Sequence, residues 1–353
     1  MPYYMYIARQ DDDKIAIFTM DGETGQLAPK AEEPIPGGPS LLAISPDHQV
    51  LYAGHRTVPG ISSYRIDHAS GGLTKHGTMA LEGPPAYLAT DRTGRYLLYS
   101  SYQDGYVAVH PIGDDGAVGG PAVASLETAN GAHAILTDPS NRFAFVPHIA
   151  RFNDNVLEPL KESHGPNVIF QFKFDEHTGH LTSNSPLRVE PEGRLGPRHL
   201  CFHPTQDIVY FSNEQGCSVT GYRLDTSTGT LSALQTITTL PGGYAERNTC
   251  SQIQLSPSGS FLYVPNRGHN SIAGFSVDAA TGQLKAVGHV PTEAVPSAFS
   301  LDPEGKFVFA AGSASGRLAS YRINGETGEL TPLETYAVGK RPMWVLVTRL
   351  GDA

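Results

Sequence analysis

Short apolar runs separated by polar turns follow one another along the whole chain, without a long stretch that has helical spacing. The most regular unit is an apolar strand, a turn that usually contains proline, and a second apolar strand. Many short strands joined by tight turns predict an all-β fold. Copies of the unit are LLAISPDHQVLYAG from Leu41, YLATDRTGRYLLYSS from Tyr87, AILTDPSNRFAFVP from Ala134, LCFHPTQDIVYFSN from Leu200, IQLSPSGSFLYVPN from Ile253 and FSLDPEGKFVFAAG from Phe299.

A second repeated element is a strand followed by an Asp-x-x-Thr-Gly-x-Leu hairpin. The aspartate supplies a side-chain hydrogen bond and the glycine supplies the positive φ that a tight hairpin needs. Its copies are DGETGQL from Asp21, DEHTGHL from Asp175, DTSTGTL from Asp225, DAATGQL from Asp278 and NGETGEL from Asn324, with weaker copies from Asp67 and Gly113.

The spacing of the repeat predicts a seven-bladed β-propeller formed by one domain, residues 1–353. Six copies of the first unit lie inside the chain, but there are seven hairpins. The opening YYMYIA resembles a second strand and the closing PMWVLV a first strand, so we expect the C-terminal strand to join the N-terminal blade and close the ring. Equivalent turn positions, separated by 46, 47, 65, 53 and 46 residues, are Pro46, Arg92, Pro139, Pro204, Pro257 and Pro303.

The longest interval contains an insertion, RFNDNVLEPLKESHGPN, at residues 151–167. An excursion of this length is typical of a lid or an oligomer contact, and an ordinary surface loop is an equal alternative.

Equivalent positions in the copies place charged residues at one end of the central channel. In a propeller, the loop before the innermost strand and the loop after the second strand lie on the same rim. At the aligned position of the first loop, most blades have a small residue, but one has a histidine and one an arginine. At the aligned positions of the second loop, most blades have polar residues. The candidate catalytic residues, from adjacent blades, are His148, Arg198, Glu214 and Arg267. The candidate substrate-binding residues are His55, Arg56, His133, Asn213, Glu246, Arg247, Asn248 and Asn266.

The charge distribution favours a small anionic ligand at this rim. The chain has a formal net charge of −10, yet arginines cluster at the predicted mouth. Guanidinium groups bind carboxylate or phosphate, and a nearby carboxylate or imidazole can act as a base. For His55 or Arg56 taken alone, solvation of a water-filled channel is the better interpretation.

Composition argues against several other partners. The sequence contains neither a basic run for nucleic acid nor an apolar segment of about 20 residues for a membrane span, and its opening residues lead us to expect no secretory signal. Three cysteines are typical of a reducing compartment. We therefore expect a cytoplasmic protein, monomeric or homodimeric.

We predict neither a metal nor a cofactor. His199, Cys201 and His203 alternate along one strand face, but a zinc site needs three or four converging ligands, so we expect these side chains to pack between blades. A Gly-rich phosphate loop and a Gly-x-Ser-x-Gly nucleophile motif are absent from the sequence. Trp344 lies in the closing strand and is expected in the core.

The chain resembles the lactonase family of seven-bladed β-propellers, which includes 6-phosphogluconolactonases and fungal carboxy-cis,cis-muconate cyclases. The stretches that carry the resemblance are GPRHLCFHPTQDIVYFSNE from Gly196 and TLPGGYAERNTCSQIQLSPSGSFLYVPNRGHNSIAGFSVDAATGQL from Thr239. The resemblance implies metal-free lactone hydrolysis or, in the muconate branch, reversible lactonisation. In that branch a histidine, two arginines and a glutamate form the site, and the matching motifs here hold His148, Arg198, Glu214 and Arg267.

The sequence also departs from the family at three places near the mouth. Gln252 replaces a common acidic residue, Ser297 follows Pro296 where an arginine is frequent, and His148 replaces part of an Asp-Leu-Gly run. These changes favour a muconate-like branch or another sugar lactone over phosphogluconate.

The resulting hypothesis is an enzyme in which Arg198 and Arg267 pair with the substrate's anion and Glu214 or His148 acts as a base. The competing hypothesis is a non-catalytic binding or scaffold propeller, which predicts exposed aromatic anchors at the rim. Only Tyr102 and Tyr244 are candidates for such anchors. A quinone- or metal-dependent sugar oxidoreductase is a third alternative.

Overall fold

The computed structural model describes residues 2–351, which form a ring of seven four-stranded antiparallel sheets. Each sheet is one blade, and we number the blades in chain order and list the strands of each from the channel outwards. Blade 1 contains β28 (Pro342–Arg349), β1 (Tyr3–Arg9), β2 (Lys14–Met20) and β3 (Leu27–Pro34). Blade 2 contains β4 (Pro39–Ile44), β5 (Val50–His55), β6 (Gly60–Ile66) and β7 (Leu73–Ala80). Blade 3 contains β8 (Pro85–Thr90), β9 (Tyr96–Ser101), β10 (Tyr106–Pro111) and β11 (Ala124–Glu127).

The other four blades repeat this order. Blade 4 contains β12 (Leu136–Thr137), β13 (Phe143–His148), β14 (Val168–Phe174) and β15 (Leu181–Val189). Blade 5 contains β16 (Pro197–Phe202), β17 (Ile208–Asn213), β18 (Ser218–Asp225) and β19 (Thr230–Thr238). Blade 6 contains β20 (Gln254–Leu255), β21 (Phe261–Asn266), β22 (Ser271–Val277) and β23 (Leu284–Pro291). Blade 7 contains β24 (Pro296–Leu301), β25 (Phe307–Gly312), β26 (Arg317–Ile323) and β27 (Leu330–Ala337).

The ring closes as the sequence predicts. Strand β28 pairs antiparallel with β1, with Ile7 opposite Val345 and Met5 opposite Val347. The pairing covers the edge of β1 that would otherwise be open to other chains. The predicted all-β, seven-bladed fold is therefore confirmed.

The Asp-x-x-Thr-Gly hairpins fasten each blade to the one before it. In blade 5, the Asp225 carboxylate accepts the Ser227 N–H (2.8 Å), and Gly229 has a φ of +72°. A Cβ at Gly229 would lie 2.0 Å from Cδ1 of Phe143, so the hairpin rests directly on the ring from blade 4. The repeated motif thus specifies both the turn and the contact between blades.

Apolar side chains fill the space between neighbouring blades rather than the axis of the ring. One such cluster joins Phe145 of blade 4 to Val209 and Phe211 of blade 5. Packing between blades leaves the inner strands and their rim loops to form the channel. Residues 2–351 include no helix long and apolar enough to cross a bilayer.

Candidate active site

A cavity of about 830 Å³, which we call the front cavity, lies at one end of the central channel. It is lined by the two sets of rim loops that the repeat alignment identified, those before the innermost strands and those after the second strands. Its lining includes Ser40, Arg56, Ala86, Tyr102, His133, Arg198, His199, Glu214, Gln252, Arg267, Ser297, Ser313, Arg341 and Trp344.

Glu214 lies between two arginines in the wall of this cavity. It follows β17, and its Oε2 accepts a hydrogen bond from Nε of Arg198 at the start of β16 (3.1 Å). Its Oε1 accepts one from Nη2 of Arg267, which follows β21. The three side chains are 8, 11 and 15% exposed, respectively. The structure therefore brings three of the four predicted catalytic residues into one buried cluster.

Arg56 brings a further positive charge to the cavity. Its side chain has neither a hydrogen-bond acceptor nor an ion-pair partner among residues 2–351. Burial lowers the pKa of Arg56, and the positive charge of Arg341 acts in the same direction. Arg341 itself lies 3.8 Å from the carboxylate of Asp11, measured between Nη1 and Oδ1. An anionic ligand would supply the missing partner of Arg56.

His133 and Tyr102 form an aromatic wall beside the cluster. Their ring centroids are 5.6 Å apart, and His133 also lies 5.3 Å from the His199 ring. Burial, reinforced by Arg198, lowers the pKa of His133 well below its usual range, and Nδ1 of His133 is buried without a partner. Burial raises the pKa of Tyr102 to about 12. Both side chains are thus neutral near pH 7.

The insertion at 151–167, which we call the lid for its position, forms part of the wall of this cavity. Seven of its residues line the space, from Asn153 to Lys161. The Asp154 carboxylate is buried and paired with Arg247 and, at 3.5 Å, with Arg151. The backbone N–H of Asn153 donates to the Tyr102 hydroxyl (3.1 Å). Arg247, predicted to bind substrate, instead anchors the lid from the loop before blade 6.

Four other predicted site residues lie inside the blades, away from the cavity. Each is the last residue of a second strand and donates to, or accepts from, a hydroxyl of a neighbouring strand or loop. His55 contacts Ser62 (2.8 Å), and His148 contacts Thr128 (3.0 Å). For three of them the next residue in the chain lines the cavity instead, because side chains alternate along a strand. Ile149, which follows His148, is buried and does not line it. The four residues that do not line the cavity are His55, His148, Asn213 and Asn266.

The loop before blade 6 supports its neighbours rather than lining the cavity. The amide of Asn248 donates to Asn266 (3.0 Å) and accepts the backbone N–H of Gly268 (2.8 Å). Glu246 is exposed and lies outside the lining. Neither of these two predicted substrate-binding residues lines the cavity.

A second cavity, of about 410 Å³, occupies the other end of the channel. His199, Cys201 and His203 were expected between blades, but all three line this rear cavity because an innermost strand borders the channel. Trp344, expected in the core, lines both cavities. Extending the alignment to β28 would have found it, since Pro342 begins β28 as Pro197 begins β16.

Comparisons with known proteins agree with this architecture over nearly the whole chain. The family described as "Lactonase, 7-bladed beta-propeller" matches residues 6–347. A 6-phosphogluconolactonase of Pectobacterium carotovorum is 35% identical over 350 residues, covering 99% of this chain and 100% of the relative. One from Yersinia enterocolitica is 31% identical over 347 residues, covering 98% of each.

Solved structures with the same fold include two with related names. A periplasmic gluconolactonase of Pseudomonas aeruginosa superposes with a TM-score of 0.86 at 25% identity, covering 99% of this chain and 100% of that one. A putative 6-phosphogluconolactonase of Bacteroides uniformis has a TM-score of 0.85 at 27% identity, covering 98% and 99%.

Proposed function

Because the chain belongs to the lactonase family of seven-bladed β-propellers, we propose that it hydrolyses the lactone of an anionic sugar acid in the front cavity. The observation that carries the proposal is the cluster of arginines around a single shared carboxylate, Glu214, in that cavity. Relatives named for a phosphorylated lactone are consistent with such an anion site.

Arg56 and Arg341 bind the substrate's charged group in this proposal. Arg198 and Arg267 are already engaged by Glu214, whereas Arg56 has no carboxylate partner in the described part of the chain. A phosphate or carboxylate at Arg56 would form charge-assisted hydrogen bonds that a neutral sugar cannot form. This arrangement leaves the Glu214 cluster free to face the lactone ring.

Hydrolysis then needs one base and one proton donor. Glu214 accepts a proton from water, whose oxygen forms a bond to the lactone carbonyl carbon. The tetrahedral intermediate collapses with cleavage of the ring C–O bond, and the Tyr102 hydroxyl donates a hydrogen bond to the departing ring oxygen. Glu214 then transfers the proton that it took from water to this ring oxygen, so the product is the open hydroxy acid. His148 takes no part, because it lies inside blade 4.

Proton NMR on a panel of lactones tests the proposal. Purified protein is incubated with 6-phosphoglucono-, glucono-, galactono- and muconolactones, and spontaneous ring opening is subtracted using a protein-free sample. Faster opening to a hydroxy acid supports hydrolysis, whereas an alkene or a shifted lactone ring would identify an isomerase. A parallel sample with chelator tests the metal-free chemistry.

Two variants connect the activity to the cavity. Arg198→Ala and Glu214→Ala should each lower kcat/KM at least tenfold, since each removes a group that binds or activates at the reacting centre. Wild-type turnover in both variants would overturn the assignment of this cluster.

We also propose that the protein acts in the cytoplasm as a monomer or homodimer. Its three cysteines are all unpaired thiols, as expected in a reducing compartment. Since one structural relative is named as periplasmic, cell fractionation is the direct test, and light scattering gives the oligomeric state.

A further inference from the structure

The front and rear cavities are separated by a single layer of side chains. His199, Gln252 and Trp344 line both spaces. His199 and Gln252 are only 5 and 4% exposed, so their polar atoms meet little solvent other than that in the channel. We call these three residues the channel floor.

The hydrogen bonds of His199 fix which of its nitrogens carries the proton. Nη1 of Arg198 lies 3.1 Å from Nε2 of His199. A guanidinium can only donate, so Nε2 must be the acceptor and the proton of the neutral ring is on Nδ1. Burial, with Arg198 and Arg267, lowers the pKa of His199 well below its usual range, which keeps the ring neutral. Its Nδ1–H has no acceptor among residues 2–351.

A hydrogen bond also fixes the orientation of the Gln252 amide. The backbone N–H of Phe299 donates to Oε1 of Gln252 (3.0 Å), so the oxygen is occupied and the NH₂ group is free. The indole N–H of Trp344 likewise has no acceptor in the described part of the chain. The channel floor therefore presents three kinds of N–H donor to the channel without an acceptor among them.

Such a surface is suited to an acceptor oxygen. These donors open onto the channel, and a ligand that displaces channel water from them must replace its hydrogen bonds, since a donor left unpaired costs about 1–3 kcal/mol. We propose that the channel floor receives the carbonyl oxygen of the bound lactone and stabilises the oxyanion that forms there when water attacks. This inference rests on the proposed lactone hydrolysis and assigns the oxyanion position within the same site.

Two variants each remove one donor from the floor. Gln252→Glu preserves the acceptor for Phe299 N–H but replaces the free NH₂ with a carboxylate oxygen. Trp344→Phe keeps an aromatic ring and removes the indole N–H. Each should lower kcat at least tenfold and change KM by less, because loss of one oxyanion donor costs about 10²–10³ in kcat in a well-studied case.

Gln254→Glu is the matched control. Gln254 accepts the backbone N–H of Leu301 (2.9 Å), as Gln252 accepts that of Phe299, but its NH₂ group donates to the Phe299 carbonyl (3.1 Å) and it lines only the rear cavity. Gln254→Glu adds the same negative charge as Gln252→Glu, two residues further along the chain. Its kcat should stay within about twofold of wild type, and an equal loss in both glutamate variants would overturn the inference.

A binding measurement separates the carbonyl contact from general damage to the fold. Calorimetric titration uses the δ-lactam of the best substrate and the matching 1,5-anhydroalditol, which keeps the ring and hydroxyls but lacks the carbonyl oxygen. Gln252→Glu and Trp344→Phe should weaken lactam binding at least fivefold and leave anhydroalditol binding within about twofold. Equal weakening of both ligands, or of neither, contradicts the inference.

Failure of the inference is distinguishable from failure of the proposed function. Wild-type protein that opens no lactone in the panel overturns both. Wild-type protein that is active, with both floor variants equally active, overturns only the assignment of the oxyanion position.

Discussion

Replacing Glu214 with glutamine would remove the charge shared by Arg198 and Arg267 while keeping the shape of the side chain. These three side chains are 8, 11 and 15% exposed, so the two guanidinium groups would remain buried beside each other without a counter-charge. Removing one partner of a buried ion pair costs about 3–5 kcal/mol, and we expect Glu214→Gln to lower the free energy of unfolding by that amount.

An added anion should restore part of the lost stability. If phosphate binds the two released guanidinium groups with a Kd of about 1 mM, then 100 mM phosphate stabilises the variant by about 2.7 kcal/mol. Urea denaturation at several phosphate concentrations, at constant ionic strength, measures both effects.

The control for this experiment is an exposed ion pair. Glu23 is 88% exposed beside Lys306, so Glu23→Gln should change the free energy of unfolding by no more than about 1 kcal/mol at any phosphate concentration. A Glu214→Gln variant that behaves like this control would refute the claim that Glu214 compensates two buried charges.

Three further predictions follow from other contacts. Arg56→Ala should raise the KM for an anionic lactone at least tenfold without loss of stability, because the guanidinium has no partner to lose, and an unchanged KM in steady-state assays would count against its anion-binding role. Gly229→Ala should destabilise the fold by about 1–3 kcal/mol in urea titrations, since φ is +72° and the new Cβ would meet Phe143, whereas a neutral result would contradict that contact. Burial lowers the pKa of His148 to about 4, so the unfolded chain binds more protons below about pH 6.5 and stability should fall from there to about pH 4. His148→Asn should make that fall shallower in pH-dependent melts, and an identical profile would refute this account.

The fold could be predicted because each blade repeats the information that specifies it. The Asp-x-x-Thr-Gly hairpin marks a turn by its chemistry, and seven copies at similar spacing give the number of blades. The closing strand was predictable because the two ends of the chain complete each other. The N-terminal strand β1 needs an inner strand beside it, and PMWVLV has the pattern of an inner strand without a second strand after it. Local turn chemistry and counting were sufficient here.

The site was predicted only to within one residue at several positions. The alignment found the correct loops, but it did not decide which of two successive residues faces the mouth. The pair His55 and Arg56 shows the difference, because the strand ends with His55 directed into the blade and Arg56 directed into the cavity. Two successive residues of a strand point to opposite faces. When both are polar, hydrophobicity does not show which of the two faces the cavity.

The lid and the channel floor were beyond the reach of the alignment for different reasons. The insertion at 151–167 has no counterpart in other blades, so its pairing through Asp154 and Arg247 depends on three-dimensional contacts. The free donors of His199 and Gln252 depend on which of their atoms are already hydrogen-bonded.

The pairing of β28 with β1 has a consequence for the newly made chain. Residues 3–9 are translated long before their partner at residues 342–349. At about 5–20 residues per second, the first strand waits roughly 20–70 s for that partner. During this time a nearly complete nascent ring carries an uncovered strand edge, which is open to chaperones and to neighbouring polypeptides on the same messenger RNA.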